Sequence, residues 1–180
     1  KVITDDAQKG NVKRSDYKSD EEFTKAVLKS FQDSVETEIK AEGLKVADVP
    51  EGAMKGLVSY AWNAGGEKYN DMEPAYKEMV KENPDMSVIQ DGMLQTFTAD
   101  KVVIRGLADR RAKDYNDVAT ALGQPTISTY KPVKLPNGNA GFEFKMSDGT
   151  KVTKDTDKKY DSDSVSTASF KNHLNKETSV

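Results

Sequence analysis

Between Ser19 and Gly43 the apolar residues Phe23, Val27, Phe31, Val35 and Ile39 recur at every fourth position, joined by Leu28. That spacing puts one greasy stripe along a helix of roughly six turns, and such a stripe must be covered by another element. Ser19-Asp20-Glu21-Glu22 opens the helix as a capping box, in which a hydroxyl and a carboxylate satisfy the free amides of the first turn. Gly43 closes it. The cover has to be found among few candidates. Leu, Ile, Val and Phe number 35 in 180 residues, so only a modest core can form.

Further helices follow. One starts near Pro50, a residue suited to a first helical turn, and runs through Met54, Leu57, Val58, Ala61 and Trp62 to Gly65. Two shorter ones cover Met72 to Lys81 and Ser87 to Phe97, separated by Asn83-Pro84. The last spans about Gly106 to Leu122, with Gly123 as a left-handed stop. Beyond it, QPTISTYKPVKLPNGNAG holds three prolines and reads as an extended connector. Phe142, Phe144 and Met146 alternate ahead of a Ser-Asp-Gly turn, with Val152 beyond it, a short hairpin signal. Lys154 to Thr167 is rich in Asp, Ser and Lys and reads as mobile; a small helix over Ser169 to Asn175 ends the chain. The expected fold is mainly α: about five helices, then an extended tail with a short β-hairpin. The expected domains are an irregular remnant over 1–18, a helical domain over 19–123 and a tail over 124–180.

Composition excludes several functions. A net charge of -3 with no basic run gives no electrostatic case for nucleic acid. No apolar run approaches a membrane span, and the absence of Cys rules out thiolate metal sites and disulfides. The only His, His173, sits near the end of the chain and reads as solvated. Asp155, Asp157, Asp161 and Asp163 cluster as calcium ligands do. However, Tyr160 stands where an EF-hand loop needs Gly and Ser166 where it needs Glu, so no metal or other cofactor is expected.

Two features invite a site. In GLVSYAWNAGG, Asn63 follows the only Trp and precedes Gly65-Gly66; it is either a helix-terminal cap or the lining of a cleft. Trp62, with apolar neighbours on its helix, is expected in the core. Arg105, Arg110 and Arg111 hold three of the four arginines within seven residues. They form either a solvated helix face or planar forks for carboxylates.

Taken in order, these segments resemble the bacteriophage lysozyme (endolysin) family, the T4-type muramidases. GLVSYAWNAGG is similar to the family's A-L-V-S-F-x-F-N-x-G. About forty residues on, Gly106-Leu107-Ala108-Asp109-Arg110-Arg111 is similar to its G-L-x-x-R-R. GNVKRSDYKSDEEFTKAVLKSFQDSVETEI resembles the helix that precedes them. The resemblance covers residues 10–122. It implies a protein of a phage virion, or of the bacterial cell wall or periplasm, acting on peptidoglycan, with Asn63, Arg110 and Arg111 as substrate-binding residues. The family's catalytic Glu, Asp and Thr, arranged E-x8-D-x5-T, are not matched. The 18 residues before Ser19 contain no Glu, so no catalytic residue is assigned and a catalytic lobe is expected to be missing. The alternative is a non-catalytic tail or baseplate protein that keeps such a lobe for packing or wall contact, with other virion proteins held by the tail after Gly123.

Overall fold

The computed structural model describes residues 12–64, 72–161, 163–167 and 169–180. The chain divides into two units, Lys1–Gly92 and Met93–Val180.

The first unit is helical. Helix α1, Asp20–Ala41, begins where the capping box predicts: Ser19 Oγ accepts the Glu22 N–H at 3.2 Å, and Glu22 reaches back to the Lys18 N–H at 3.0 Å. It ends on Gly43, at φ 74°, with the Gly43 N–H on Lys40 O and the Leu44 N–H on Ile39 O. This double closure satisfies carbonyls that the helix end would leave bare. Val27, Phe31, Val35 and Ile39 are buried as their spacing requires, whereas Leu28 lies off the stripe and is 43% exposed. Helix α2, Glu51–Ala64, packs against α1 and buries Ala53, Leu57, Tyr60 and Ala61. Helices α3, Glu73–Met79, and α4, Met86–Met93, follow. At Gly92 an added Cβ would stand 3.0 Å from Ala75 Cβ, so glycine is what lets α4 approach α3. Between them Asp85 takes the Ser87 N–H and hydroxyl at the head of α4, and Glu78 accepts the Asp85 N–H at 2.8 Å.

The second unit corrects the expectation of a mainly α chain with a hairpin tail. It holds two antiparallel sheets beside one long helix, so the fold is mixed. Strands β1, Thr98–Ala99, and β2, Val102–Val103, form a ribbon whose turn puts Asp100 and Lys101 at positive φ. Helix α5, Arg105–Ala121, closes on Gly123 at φ 66°, the predicted stop. Strands β3 (Ile127–Lys134), β4 (Asn139–Met146), β5 (Lys151–Lys159) and β6 (Thr178–Ser179) then build a four-stranded sheet in the order β5-β4-β3-β6. The proline-rich connector is β3, and the first part of the segment read as mobile is β5. The alternation of β3 is broken by a bulge between Ile127 and Thr129. β5 offers almost no apolar face, because an edge strand is held by its backbone ladder rather than by burial. The predicted C-terminal helix is a single 3-10 turn, Lys171–His173.

This unit's core is aromatic. Phe97, Tyr130, Phe142, Phe144 and Phe170 are buried with ring centroids 5.1 to 6.4 Å apart, the separations at which tilted rings attract. Helix α5 is joined to the sheet by Asn116, whose carboxamide donates to Ile127 O at 2.9 Å and accepts the Ile127 N–H at 2.7 Å. It stands in for a neighbouring strand at the start of β3. Replacing Asn116 by Asp removes the donor and sets a carboxylate against a carbonyl oxygen. We expect a loss of about 1 to 3 kcal/mol in denaturant titrations; Asn116→Ser should lose no less, being too short to reach both groups.

Acid should loosen the helical unit. Lys81, and then the Asp85 N–H, hold the Glu78 carboxyl below its usual 4.5. The Ser87 hydroxyl and N–H hold Asp85 below 3.8. The unfolded chain protonates first as pH falls, so stability present at neutral pH is lost below about 4.5. The urea midpoint should drop from pH 7 to pH 3, and less steeply in Glu78→Gln.

Candidate binding groove and the predicted site residues

Helices α1 and α2 bury one stripe each and leave a second pair of stripes facing outward. On α1 these are positions 25, 28, 29 and 32; on α2 they are 51, 54, 55, 58, 59 and 62. The two stripes line a groove of about 830 Å³. Leu28, Met54, Val58 and Trp62 are its apolar lining. Lysines at 25, 29 and 55, with Glu51, Gln32 and Ser59, supply the polar lining.

Trp62 corrects a second expectation. Rather than entering the core it is 45% exposed, its ring tilted against Phe31 at a centroid distance of 5.1 Å. The spacing explains the error: Trp62 lies eight residues beyond Met54 and four beyond Val58, on the outer stripe, while Leu57, Tyr60 and Ala61 take the inner one. Among the described residues Leu28 and Trp62 are the large hydrophobic side chains left exposed, and both belong to this groove. The signal was present in the sequence, since two stripes can be drawn on each helix, but only packing decides which of them is covered.

Asn63 occupies the last turn of α2, half-buried, and donates from Nδ2 to Ser59 O at 2.9 Å. It is not among the groove's lining residues, although Ser59 is. Gly65 and Gly66, which the sequence places beside it, lie outside the described residues.

The arginines of the second unit have three different surroundings. Arg105 donates from Nη1 to the Tyr130 hydroxyl at 2.8 Å, tying α5 to β3. Burial raises the Tyr130 hydroxyl above its usual 10.0 against the opposing charge of Arg105. Arg110 is exposed. Arg111 is fully buried and donates from Nη1 to Asp114 Oδ2 at 3.0 Å, one turn along its own helix. Of the adjacent pair, Arg110 is thus the exposed one, while Arg111 is buried in an ion pair with Asp114. Asn63 belongs to the helical unit and both arginines to the sheet unit.

Two of the four aspartates weighed as calcium ligands serve the backbone and neighbouring side chains. Asp155 accepts from Asn137, Asn139 and the Asp157 N–H, and Asp161 from the Asp163 and Ser164 N–H groups. Among the described residues no three His, Asp or Glu are grouped as a metal site, and no helix is long and apolar enough to cross a membrane. His173 pairs through Nδ1 with Ser169 O at 2.9 Å. No protein-family profile, curated protein or solved structure matches this chain.

The groove geometry sets an order of stabilities. Trp62→Ala removes a half-exposed ring and should cost about 1 to 2 kcal/mol. Tyr60→Ala, one face inward and fully buried, should cost about 3 to 5 kcal/mol in the same denaturation series.

Proposed function

We propose that this chain is a phage virion-associated protein that engages bacterial peptidoglycan, with Asn63 and Arg110 as its contacts to the glycan strand. The observation that carries this reading is the order of three segments over residues 10–122. The capped helix, the Asn63 segment and the Gly106–Arg111 segment follow one another as in phage lysozymes, and each lies in or against a helix of its own. Asn63 is partly exposed in the last turn of α2, and a carboxamide is the kind of group that exchanges hydrogen bonds with an N-acetyl amide. The exposed guanidinium of Arg110 suits the carboxylates of peptidoglycan stems. Arg111, paired internally, acts here as a support of helix α5 and not as a contact. The reading assigns binding to these residues and no catalytic role to any residue of this chain.

A second reading, a structural virion protein, draws on the sheet unit. Among the described residues its aromatic cluster runs from Phe97 to Phe170, so this unit supplies a core of its own.

Retention on purified peptidoglycan distinguishes the two. Asn63→Ala and Arg110→Ala should each weaken cosedimentation with sacculi about 5- to 10-fold, the worth of one hydrogen bond or exposed charge contact, at unchanged thermal midpoint. Wild-type chain that fails to sediment, or variants that sediment equally well, would remove the peptidoglycan reading and leave the structural one.

A further inference from the structure

The outer face of the four-stranded sheet carries an arrangement of charge that folding alone disfavours. In β4 the core takes Ala140, Phe142, Phe144 and Met146, so Glu143 and Lys145 belong to the opposite face. Lys145 is in register with Lys151 of β5, directly across the ladder, while Glu143 stands between Lys131 of β3 and Thr153 of β5. Like charges set directly opposite destabilise a sheet, and departures of this kind concentrate where a protein does its work. The neighbours of Lys145 on this face are Thr129, Lys131, Glu143, Lys151 and Thr153. Glu143 is the only acid among them, and one of its oxygens, Oε1, faces both Lys131 at 3.5 Å and Lys151 at 3.3 Å. Three ammonium groups thus share one carboxylate, and the cluster keeps two positive charges. Asp148, in the turn that joins β4 to β5, accepts the Thr150 N–H and hydroxyl instead.

The cluster is also bounded. One step along the sheet stand Val133, Gly141 and Asp155. A Cβ on Gly141 would lie 2.9 Å from Leu135, whose side chain fills that space. The positive patch therefore cannot track a long polyanion. Opposed positions lie about 5 Å apart and diagonal ones about 7 to 8 Å, so the three flexible side chains can close on a single group. A phosphate monoester brings three acceptor oxygens and about two negative charges at neutral pH, the excess that Glu143 leaves uncancelled. Lysine meets it as a point charge. No aromatic ring stands among these positions to stack a base. We propose that Lys131, Lys145 and Lys151 form a binding site for one phosphate monoester group. The site lies wholly within the sheet unit and does not rest on the peptidoglycan reading.

Amide NMR of the full chain, titrated at fixed ionic strength with inorganic phosphate, glucose 6-phosphate or acetate, tests this. Both phosphates should cause saturable shifts centred on residues 131, 143, 145 and 151, and acetate should not. Tighter binding of the sugar phosphate assigns an ester as the ligand, and equal binding assigns free phosphate. Lys145→Ala and Lys151→Ala should each weaken binding about tenfold, the worth of one charged hydrogen bond. Glu143→Gln, which removes the competing carboxylate, should tighten it several-fold. Lys145→Glu should abolish binding yet raise the thermal midpoint, because it turns a repelling cross-strand pair into an attracting one. The proposal is overturned if the shifts do not saturate, or if acetate binds as tightly as phosphate. A lowered midpoint in Lys145→Glu, or weaker binding in Glu143→Gln, would equally overturn it.

Discussion

The scarcity of large aliphatic side chains governs how this chain folds. With 35 Leu, Ile, Val and Phe over 180 residues, a uniformly oily interior cannot be assembled, and the two units meet the shortage differently. The helical unit spreads its apolar residues thinly, in single stripes on α1 and α2 backed by Ala53, Ala61 and Ala75, and lets helices come close where side chains are small. The sheet unit concentrates its bulk, gathering four of the six phenylalanines and Tyr130 into one cluster. Large rings bury far more surface per residue than aliphatic chains do, so few positions suffice. What burial leaves undone falls to specific polar clamps: Asn116 on β3, Asp85 on α4, Arg105 on Tyr130.

That division also decides what could be read in the sequence. Helices α1 and α5 were legible because start, periodicity and stop agree: Ser19 and Gly43 bracket one, and Gly123 ends the other. The four-stranded sheet was not. Pro132 and the bulge after Ile127 interrupt the alternation of β3, and β5 carries charge on both faces. Its strand character comes from pairing with β4, a non-local property that no window of sequence contains. The clamp of Asn116 is likewise invisible in sequence, since an Asn in mid-helix normally signals nothing more than a polar face.

Candidate site residues were legible as types but not as environments. Arg110 and Arg111 are neighbours in sequence, and one helical step of about 100° separates an exposed guanidinium from one fully enclosed beside Asp114. The same step separates Trp62 from Ala61, which is buried. Sequence spacing fixes such angular relations well. It does not fix which direction on the helix is inward, and that ambiguity placed Trp62 in the core when it lines a groove.

Strand β5 leaves the sheet with one long open edge, and its composition determines how the protein behaves when crowded. If two copies met antiparallel along this edge, centred on Asp155, the register would set Lys151 against Lys159 and Asp155 against its own twin. Like charges directly opposite one another resist pairing. At Asp157 the backbone turns to φ 57° and the ladder is already interrupted, so an incoming strand finds no continuous row of amides to follow. Charge and the turn at Asp157 together make this edge a poor template for a second copy of itself.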